Sequence, residues 1–297
     1  MRAILVFGGT GFLGSSLVNY LLAKRIKIII YKHRTLGHLK KKKSNNLIII
    51  KSLNKKFLKK FKVQTIYHLA SSSSSSSNMS NDFYEANIGL TRKIIFLAKY
   101  LKVKQFIYIS TGSVFSKKIR SNTFDEKSLP TPNSLYGLFK YTAEKVIEIE
   151  LKNSNIKTCI IRFPSIFGTN NKEGIVYHFY KLAKKNKQIE VYNNGKNLRN
   201  LIYINSAVEL MFLAFKNIYK LENHEIFMAG SKNSLKVLDI AKQIVRITKS
   251  KSKIKIVKKS SPSDFDVKIN TFKAQKILGF KPLSINKALK KFIDNEN

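Results

Sequence analysis

The strongest constraint on this chain lies within its first fourteen residues. A short apolar run, residues 3–7, leads directly into Gly8-Gly9-Thr10-Gly11-Phe12-Leu13-Gly14, and an amphipathic segment of helical length follows over 12–24. A brief run rich in branched residues reads as a buried strand. Glycine at 8 permits a tight turn, glycine at 11 lets a pyrophosphate approach the backbone, and glycine at 14 lets helix and strand pack closely. Such a spacing alone is weak, but between a strand and a helix it points to a dinucleotide-binding turn. Gly8, Thr10, Gly11, Phe12, Leu13 and Gly14 are therefore candidate cofactor-binding residues.

The alternation continues. Residues 28–31, 47–50, 65–69, 106–110 and 158–162 read as further buried strands, with helices over 83–101 and 136–152. Strands alternating with helices predict right-handed crossovers and a parallel sheet covered on both faces. The expected fold is α/β, a Rossmann-type doubly wound parallel sheet with a smaller C-terminal substrate-binding lobe. The expected division is 1–168 for the dinucleotide domain and 169–297 mainly for the second lobe, with some of its segments returning to the first. Helices are expected there over 175–187, 206–216 and 235–248. The one low-complexity tract, residues 71–77, is seven serines directly after the fourth strand. It reads as a mobile loop bordering the site, because ligands of open α/β sheets bind beyond the carboxyl ends of the strands.

The end of the second strand bears on the choice of dinucleotide. An acid there bonds the ribose 2′-hydroxyl of NAD, whereas this chain reads Tyr31-Lys32-His33-Arg34. Lys32 and Arg34 would attract a 2′-phosphate, with Arg34 the better witness because arginine is scarce, so NADP(H) is favoured and NAD(H) stays open. Further along, Tyr136 and Lys140 stand at i and i+4 on one helix face, which would let an ammonium lower the pKa of a phenol. The fifth strand ends in Ser110-Thr111-Gly112-Ser113, which adds hydroxyls at a carboxyl strand end.

With these motifs the sequence resembles an extended short-chain dehydrogenase/reductase of the NAD(P)-dependent epimerase/dehydratase family, whose members act on nucleotide sugars. The resemblance covers nearly the whole chain. It includes Tyr67-His68-Leu69-Ala70-Ser71, Asn87-Ile88-Gly89, Arg162-Phe163-Pro164-Ser165-Ile166-Phe167-Gly168, Gly195 to Asn200, and Leu278-Gly279-Phe280-Lys281-Pro282. It implies that Thr111 bonds the reacting oxygen, with Ser113 a second candidate. Tyr136 would exchange the proton, and Lys140 would hold the nicotinamide ribose. Leu69, Ala70, Ser71, Ser52, Leu53, His33 and Asn87 would line the cofactor, Arg199 would contact the nucleotide diphosphate, and Ser165 stands at a substrate position often held by Asn. Lys32 stands where NAD-dependent members carry Asp, and Phe115-Ser116 replaces the usual Tyr-Gly. Asn200 and Asn205 replace acids.

The function implied is reduction of a 4-keto-deoxysugar nucleotide, with a 4-epimerase that retains NAD as the alternative. A dehydratase is disfavoured because Gly112 and Ser113 follow Thr111 where dehydratases place Asp and Glu. A non-catalytic dinucleotide sensor would need neither Tyr136 nor Lys140. Composition narrows the partners. The formal charge is +39, yet only eight of the 56 basic residues are Arg, the side chain suited to bidentate phosphate and base contacts. The excess of Lys therefore reads as compositional drift, and no nucleic acid is expected. No apolar run approaches the roughly 18 residues of a membrane span, and the first strand leaves no room for a signal peptide, so a cytoplasmic protein without a membrane partner is expected. A lone Cys159 and scattered histidines give no metal-ligand spacing. The resemblance also implies a homodimer formed through the helices at 83–101 and 136–152.

Overall fold

The computed structural model describes residues 2–32, 35–37, 39, 44–72, 84–116, 123–258 and 265–296. Seven strands form the central sheet: β1 Arg2–Phe7, β2 Ile28–Tyr31, β3 Leu47–Ile50, β4 Lys62–His68, β5 Gln105–Thr111, β6 Lys157–Phe163 and β7 His224–Met228. Their spatial order is β3-β2-β1-β4-β5-β6-β7, and every pairing is parallel. The order reverses between β1 and β4, so the carboxyl ends of these strands open the crevice in which doubly wound folds bind ligands.

Alternation along each strand builds the two covering layers. In β1, Ile4 and Val6 point into one apolar cluster with Leu17, Val18 and Leu21 of α1 (Phe12–Ala23). Leu5 and Phe7 point into the other, shared with Ile94 and Ala98 of α3 (Leu90–Leu101) and Ala143 and Ile147 of α4 (Leu135–Leu151). Burial on both faces explains why these strands read as continuous apolar runs rather than alternating ones.

Four elements of this frame depart from expectation. A short helix α2 (Lys55–Lys60) starts where Asn54 accepts the Phe57 N–H at 3.0 Å, a capping signal worth more than its brief apolar content. The expected helix over 83–101 is divided, because Glu85–Gly89 winds as a π turn before α3. Leu235–Lys236, expected as helix, pairs antiparallel with Leu198–Arg199 before α7 (Val237–Ile247) begins. β7 itself was not expected, and it returns the chain from beyond residue 168 to the edge of the central sheet.

Other short parallel pairs stand beside the carboxyl ends of β4 to β6: Ser165–Phe167 with Leu201–Tyr203, Ile189–Tyr192 with Ile254–Val257, and Thr123–Phe124 with Lys268–Ile269. The first and third of these pairs and the start of α5 (Gly174–Lys184) line a cavity of about 910 Å³ over those strand ends, while α6 (Ile204–Lys216) packs in the apolar layer that holds α1. No described helix is long and apolar enough to cross a membrane.

Candidate active site

The glycine turn is shaped by close backbone contact. Gly8 has φ +79°, and a Cβ there would lie 2.6 Å from the Ala70 nitrogen, so the turn presses against the chain leaving β4. A Cβ on Gly14 would lie 2.0 Å from the Gly8 carbonyl oxygen. Gly11 is different: a Cβ there would meet only that same carbonyl at 3.5 Å, so the space it leaves faces outward. Gly11 caps α1 without a side-chain hydrogen bond, and the first turn of the helix carries no acid. N–H groups left open at a helix start, beside an unobstructed glycine, fit the pyrophosphate of a dinucleotide. Leu13 lines the large cavity, while the Phe12 carbonyl accepts the hydroxyls of Ser15 and Ser16. Thr10 lies under the loop after β2, where a Cβ on Gly37 would come 2.4 Å from the Thr10 carbonyl oxygen.

The remaining cofactor candidates surround this turn unequally. Lys32 is half-buried at the end of β2, and its N–H donates to the Ile50 carbonyl. His33 and Arg34 lie outside the described residues, as do Ser73 to Ser77 of the serine tract. Ser52 is exposed and Leu53 packs on the sheet. The Leu69 N–H donates to the Phe7 carbonyl, and Leu69 and Ser71 line the cavity, whereas Ala70 packs against the layer beside α3 and α4. Asn87 is buried, and its amide pairs with the Ser72 backbone at 3.3 Å and 3.4 Å, which fastens the chain that carries Ser71.

Tyr136 meets Thr111 because α4 begins against the turn that follows β5. Ser134 caps the helix by accepting the Gly137 N–H at 3.1 Å, and a Cβ on Gly137 would lie 2.1 Å from the Ser113 carbonyl oxygen. Thr111 ends β5, donates its hydroxyl to Ser113 at 3.2 Å and accepts the Ser113 N–H at 3.1 Å. Burial holds the Tyr136 phenol above its usual range, while hydrogen bonding with Ser71 and Thr111 draws it partway back.

The Lys140 ammonium donates to the Ile109 carbonyl and lies 4.2 Å from the centroid of the Tyr108 ring. Burial pulls it down to about 7, against an upward pull from Glu144. This corrects the expectation that Lys140 lowers the Tyr136 pKa. The ammonium is engaged with β5 in the ligand-free chain, and the phenol is raised.

A buried acid–base pair was missed. The Glu144 carboxylate accepts from Arg162 Nε at 3.1 Å and Nη2 at 2.7 Å, and Ser110 donates its hydroxyl to the same carboxylate. The signal was available, since Glu144 stands four residues beyond Lys140 and eight beyond Tyr136 on one helix face. Its arginine partner, however, comes from a strand 18 residues away.

The far wall carries the substrate candidates. Ser113 and Ser165 are exposed into the cavity. Arg199 lines both this cavity and a second of about 450 Å³, and its Nη1 donates to the carbonyls of Leu198 at 2.9 Å and Phe265 at 2.6 Å. Phe115 and Phe124 stack with centroids 4.7 Å apart, and with Phe265, Val267 and Ile269 they make one side of the large cavity apolar. Among the described residues, no three His, Cys, Asp or Glu side chains gather where they could hold a metal ion.

Residues 4–230 match the model of the NAD dependent epimerase/dehydratase family. A dTDP-D-glucose 4,6-dehydratase of Dictyostelium discoideum is 29% identical over 280 residues, a match covering 84% of this chain and 62% of that longer protein. The fold is that of UDP-glucose 4-epimerase from Thermotoga maritima, solved with UDP-glucose, with a TM-score of 0.84 at 21% identity over 98% of this chain and 97% of that one. It is equally that of UDP-glucuronic acid 4-epimerase from Bacillus cereus, solved with UDP-glucuronic acid and NAD, with a TM-score of 0.82 at 24% identity over the full length of both chains.

Proposed function

The chain belongs to the NAD dependent epimerase/dehydratase family, and from that membership we propose that it is a nucleotide-sugar oxidoreductase that reduces a 4-keto-deoxysugar nucleotide. The carrying observation is convergence. Thr111, Tyr136 and Lys140 line the same cavity as Leu13 and Leu69, which border the glycine turn, so a dinucleotide and a sugar would meet over the carboxyl end of β5. When bound, a reduced nicotinamide supplies the hydride. Tyr136 delivers the proton to the sugar oxygen, Thr111 bonds that oxygen, and Lys140 holds the nicotinamide ribose.

Arg199 stands where the two cavities adjoin. A diphosphate at its guanidinium would leave the sugar in the larger space and the nucleoside in the smaller. The wall of Phe115, Phe124, Phe265, Val267 and Ile269 favours a sugar with an apolar edge, such as the methyl group of a deoxysugar. Gly112 and Ser113 after Thr111 supply no acid–base pair for dehydration. Lys32, with no acid beside it at the end of β2, favours NADP(H) over NAD(H). Exposed Phe96 on α3 and Leu138 and Ile149 on α4 support a homodimer through these helices. A single buried thiol, Cys159, suits the cytoplasm.

The second reading is a 4-epimerase that retains NAD, favoured by the 4-epimerases among proteins of the same fold. NADPH oxidation measured against a panel of nucleotide keto-sugars tests the first. Net consumption supports reduction, whereas interconversion of sugar nucleotides without net consumption supports the epimerase. Activity toward neither class of substrate would remove both.

A further inference from the structure

Lys140 is 2% exposed, and this burial disfavours its charged form even though uncharged groups around it contact the ammonium. Tyr108 on β5 presents its ring face, and His68 on β4 is buried with its own basicity lowered by burial and by Lys140. Tyr136 on the same helix is raised above its usual range and stays neutral. The ammonium donates to the Ile109 carbonyl. An isolated buried ammonium tends to shed its proton rather than pay the cost of desolvation.

Glu144 supplies the opposing charge from one helical turn away. It is 2% exposed and makes no direct ion pair with Lys140, because Arg162 Nε and Nη2 and the Ser110 hydroxyl hold its carboxylate. That clamp fixes the carboxylate on the helix face shared by Tyr136 and Lys140. Arg162 is fixed in turn by the Phe115 ring, whose centroid lies 5.2 Å from its guanidinium carbon.

We propose that Glu144 is a positioning residue of this site: clamped by Arg162 and Ser110, its carboxylate keeps the Lys140 side chain charged inside an otherwise uncharged pocket. Only a cationic lysine can donate all three N–H groups to a ribose and the backbone. The pair therefore acts on the reaction through Lys140 and touches neither substrate nor cofactor. The Glu144 carboxylate pulls the Lys140 pKa up against the burial that lowers it.

The inference rests on the role given to Lys140 above, so the first measurement reads Lys140 itself. Pulsed acetylation with acetic anhydride, quantified at Lys140 by mass spectrometry across pH, reports its protonation in the whole ligand-free chain. The wild-type midpoint is expected near 7. Glu144→Gln lowers it by about one pH unit, the effect of removing one nearby charge. Glu144→Asp, which keeps the charge, restores most of that shift. Should Glu144→Gln fail to fold with Arg162 left unpaired, the double variant Glu144→Gln/Arg162→Gln removes both charges together and is expected to show a lowering of the same sign but smaller size, because loss of the guanidinium offsets part of it.

A midpoint unchanged in every folded variant that lacks the carboxylate overturns the inference, since a merely structural pair would leave it in place. The pH profile of kcat/KM for NADPH-dependent reduction then separates the two claims. If the labelling midpoint moves and the alkaline limb of that profile does not, Glu144 acts on Lys140 as proposed, and it is the role of Lys140 in the reaction that fails.

Discussion

A Cβ on Gly14 would lie 2.0 Å from the carbonyl oxygen of Gly8, and that carbonyl belongs to the turn that positions the start of α1. In an ordinary exposed helix, Gly→Ala stabilises by about 1 kcal/mol. Here backbone must move to admit a methyl group. Gly14→Ala is therefore expected to destabilise by about 1–3 kcal/mol, the scale of overpacking, and to weaken dinucleotide binding. Thermal unfolding and a cofactor titration check both parts, and a variant more stable than the parent would contradict the packing argument.

Tyr136 is the proton donor of the proposed reduction, and its phenol is raised by burial, so it stays protonated through neutral pH. The Tyr136 proton is therefore not what limits reductive turnover at neutral pH, where Lys140, drawn down to about 7, sets the profile; it becomes limiting only on the alkaline side. Tyr136→Phe should lower kcat by about 10²–10⁴ while leaving dinucleotide affinity little changed. Thr111→Val removes one of the two hydrogen bonds that draw the phenol down, which should move the alkaline limb upward as the rate falls. Single-turnover rates with bound NADPH measure all three effects.

Lys140 carries a stability signature as well as a catalytic one. Its folded value of about 7 lies below its ordinary 10.5, so between these two values the unfolded chain holds a proton that the folded chain has released. Stability is expected to rise with pH across that window, by about 1 kcal/mol per unit, and to be lost again as pH falls toward 7. The Cys159 thiol, pushed up by burial, works in the opposite direction above its usual range and so flattens the upper part of the window, as the buried phenols of Tyr67 and Tyr108 do above theirs. Urea denaturation at pH 7.5 and 9.5, about two units apart within the window, reads the slope, and Lys140→Met should flatten it.

Arg199 lines both cavities and is held by the Leu198 and Phe265 carbonyls. Arg199→Ala should raise the KM for the nucleotide sugar by about 10–100-fold with kcat changed far less, because a charge-assisted contact to a diphosphate is made in both ground and transition states. Competitive inhibition by the free nucleoside diphosphate should weaken in parallel. A fall in kcat alone would place the diphosphate elsewhere.

At the end of β2, Lys32 stands where an acid would bond a ribose hydroxyl. Lys32→Asp is expected to weaken NADPH binding by about tenfold or more and to improve NADH binding, because a carboxylate repels a 2′-phosphate and accepts a hydroxyl. Fluorescence titration with both reduced dinucleotides measures the ratio. An unchanged ratio would mean that Lys32 does not face the adenosine ribose.

Much of the fold is legible locally. β2 and β3 begin and end where their apolar runs do, and α1 starts where the glycine turn stops, because short strands buried on both faces leave an unbroken apolar signal. Tyr136 and Lys140 could be placed on one helix face by counting residues. Less legible were the weakly marked elements: β7, the two-residue strands at Thr123–Phe124 and Leu198–Arg199, and the π turn at Glu85–Gly89. The strands have too few residues to show a period, and their hydrogen bonds go to partners far along the chain; the π turn is bonded locally and differs from an α-helical turn by one residue.

The sequence by itself determined the dinucleotide turn, the alternation that makes a parallel sheet, and the identity of the residues offered at the carboxyl strand ends. Those properties depend on neighbours within a few positions, where glycine freedom and side-chain periodicity act. Tertiary structure alone decided that Lys140 turns to the Ile109 carbonyl and that Glu144 is clamped by Ser110 and Arg162. It alone also set Arg199 where two cavities adjoin. Each of these contacts joins groups brought close only when separate strands and helices pack, and burial there changes the strength of every charge, which no local pattern can encode.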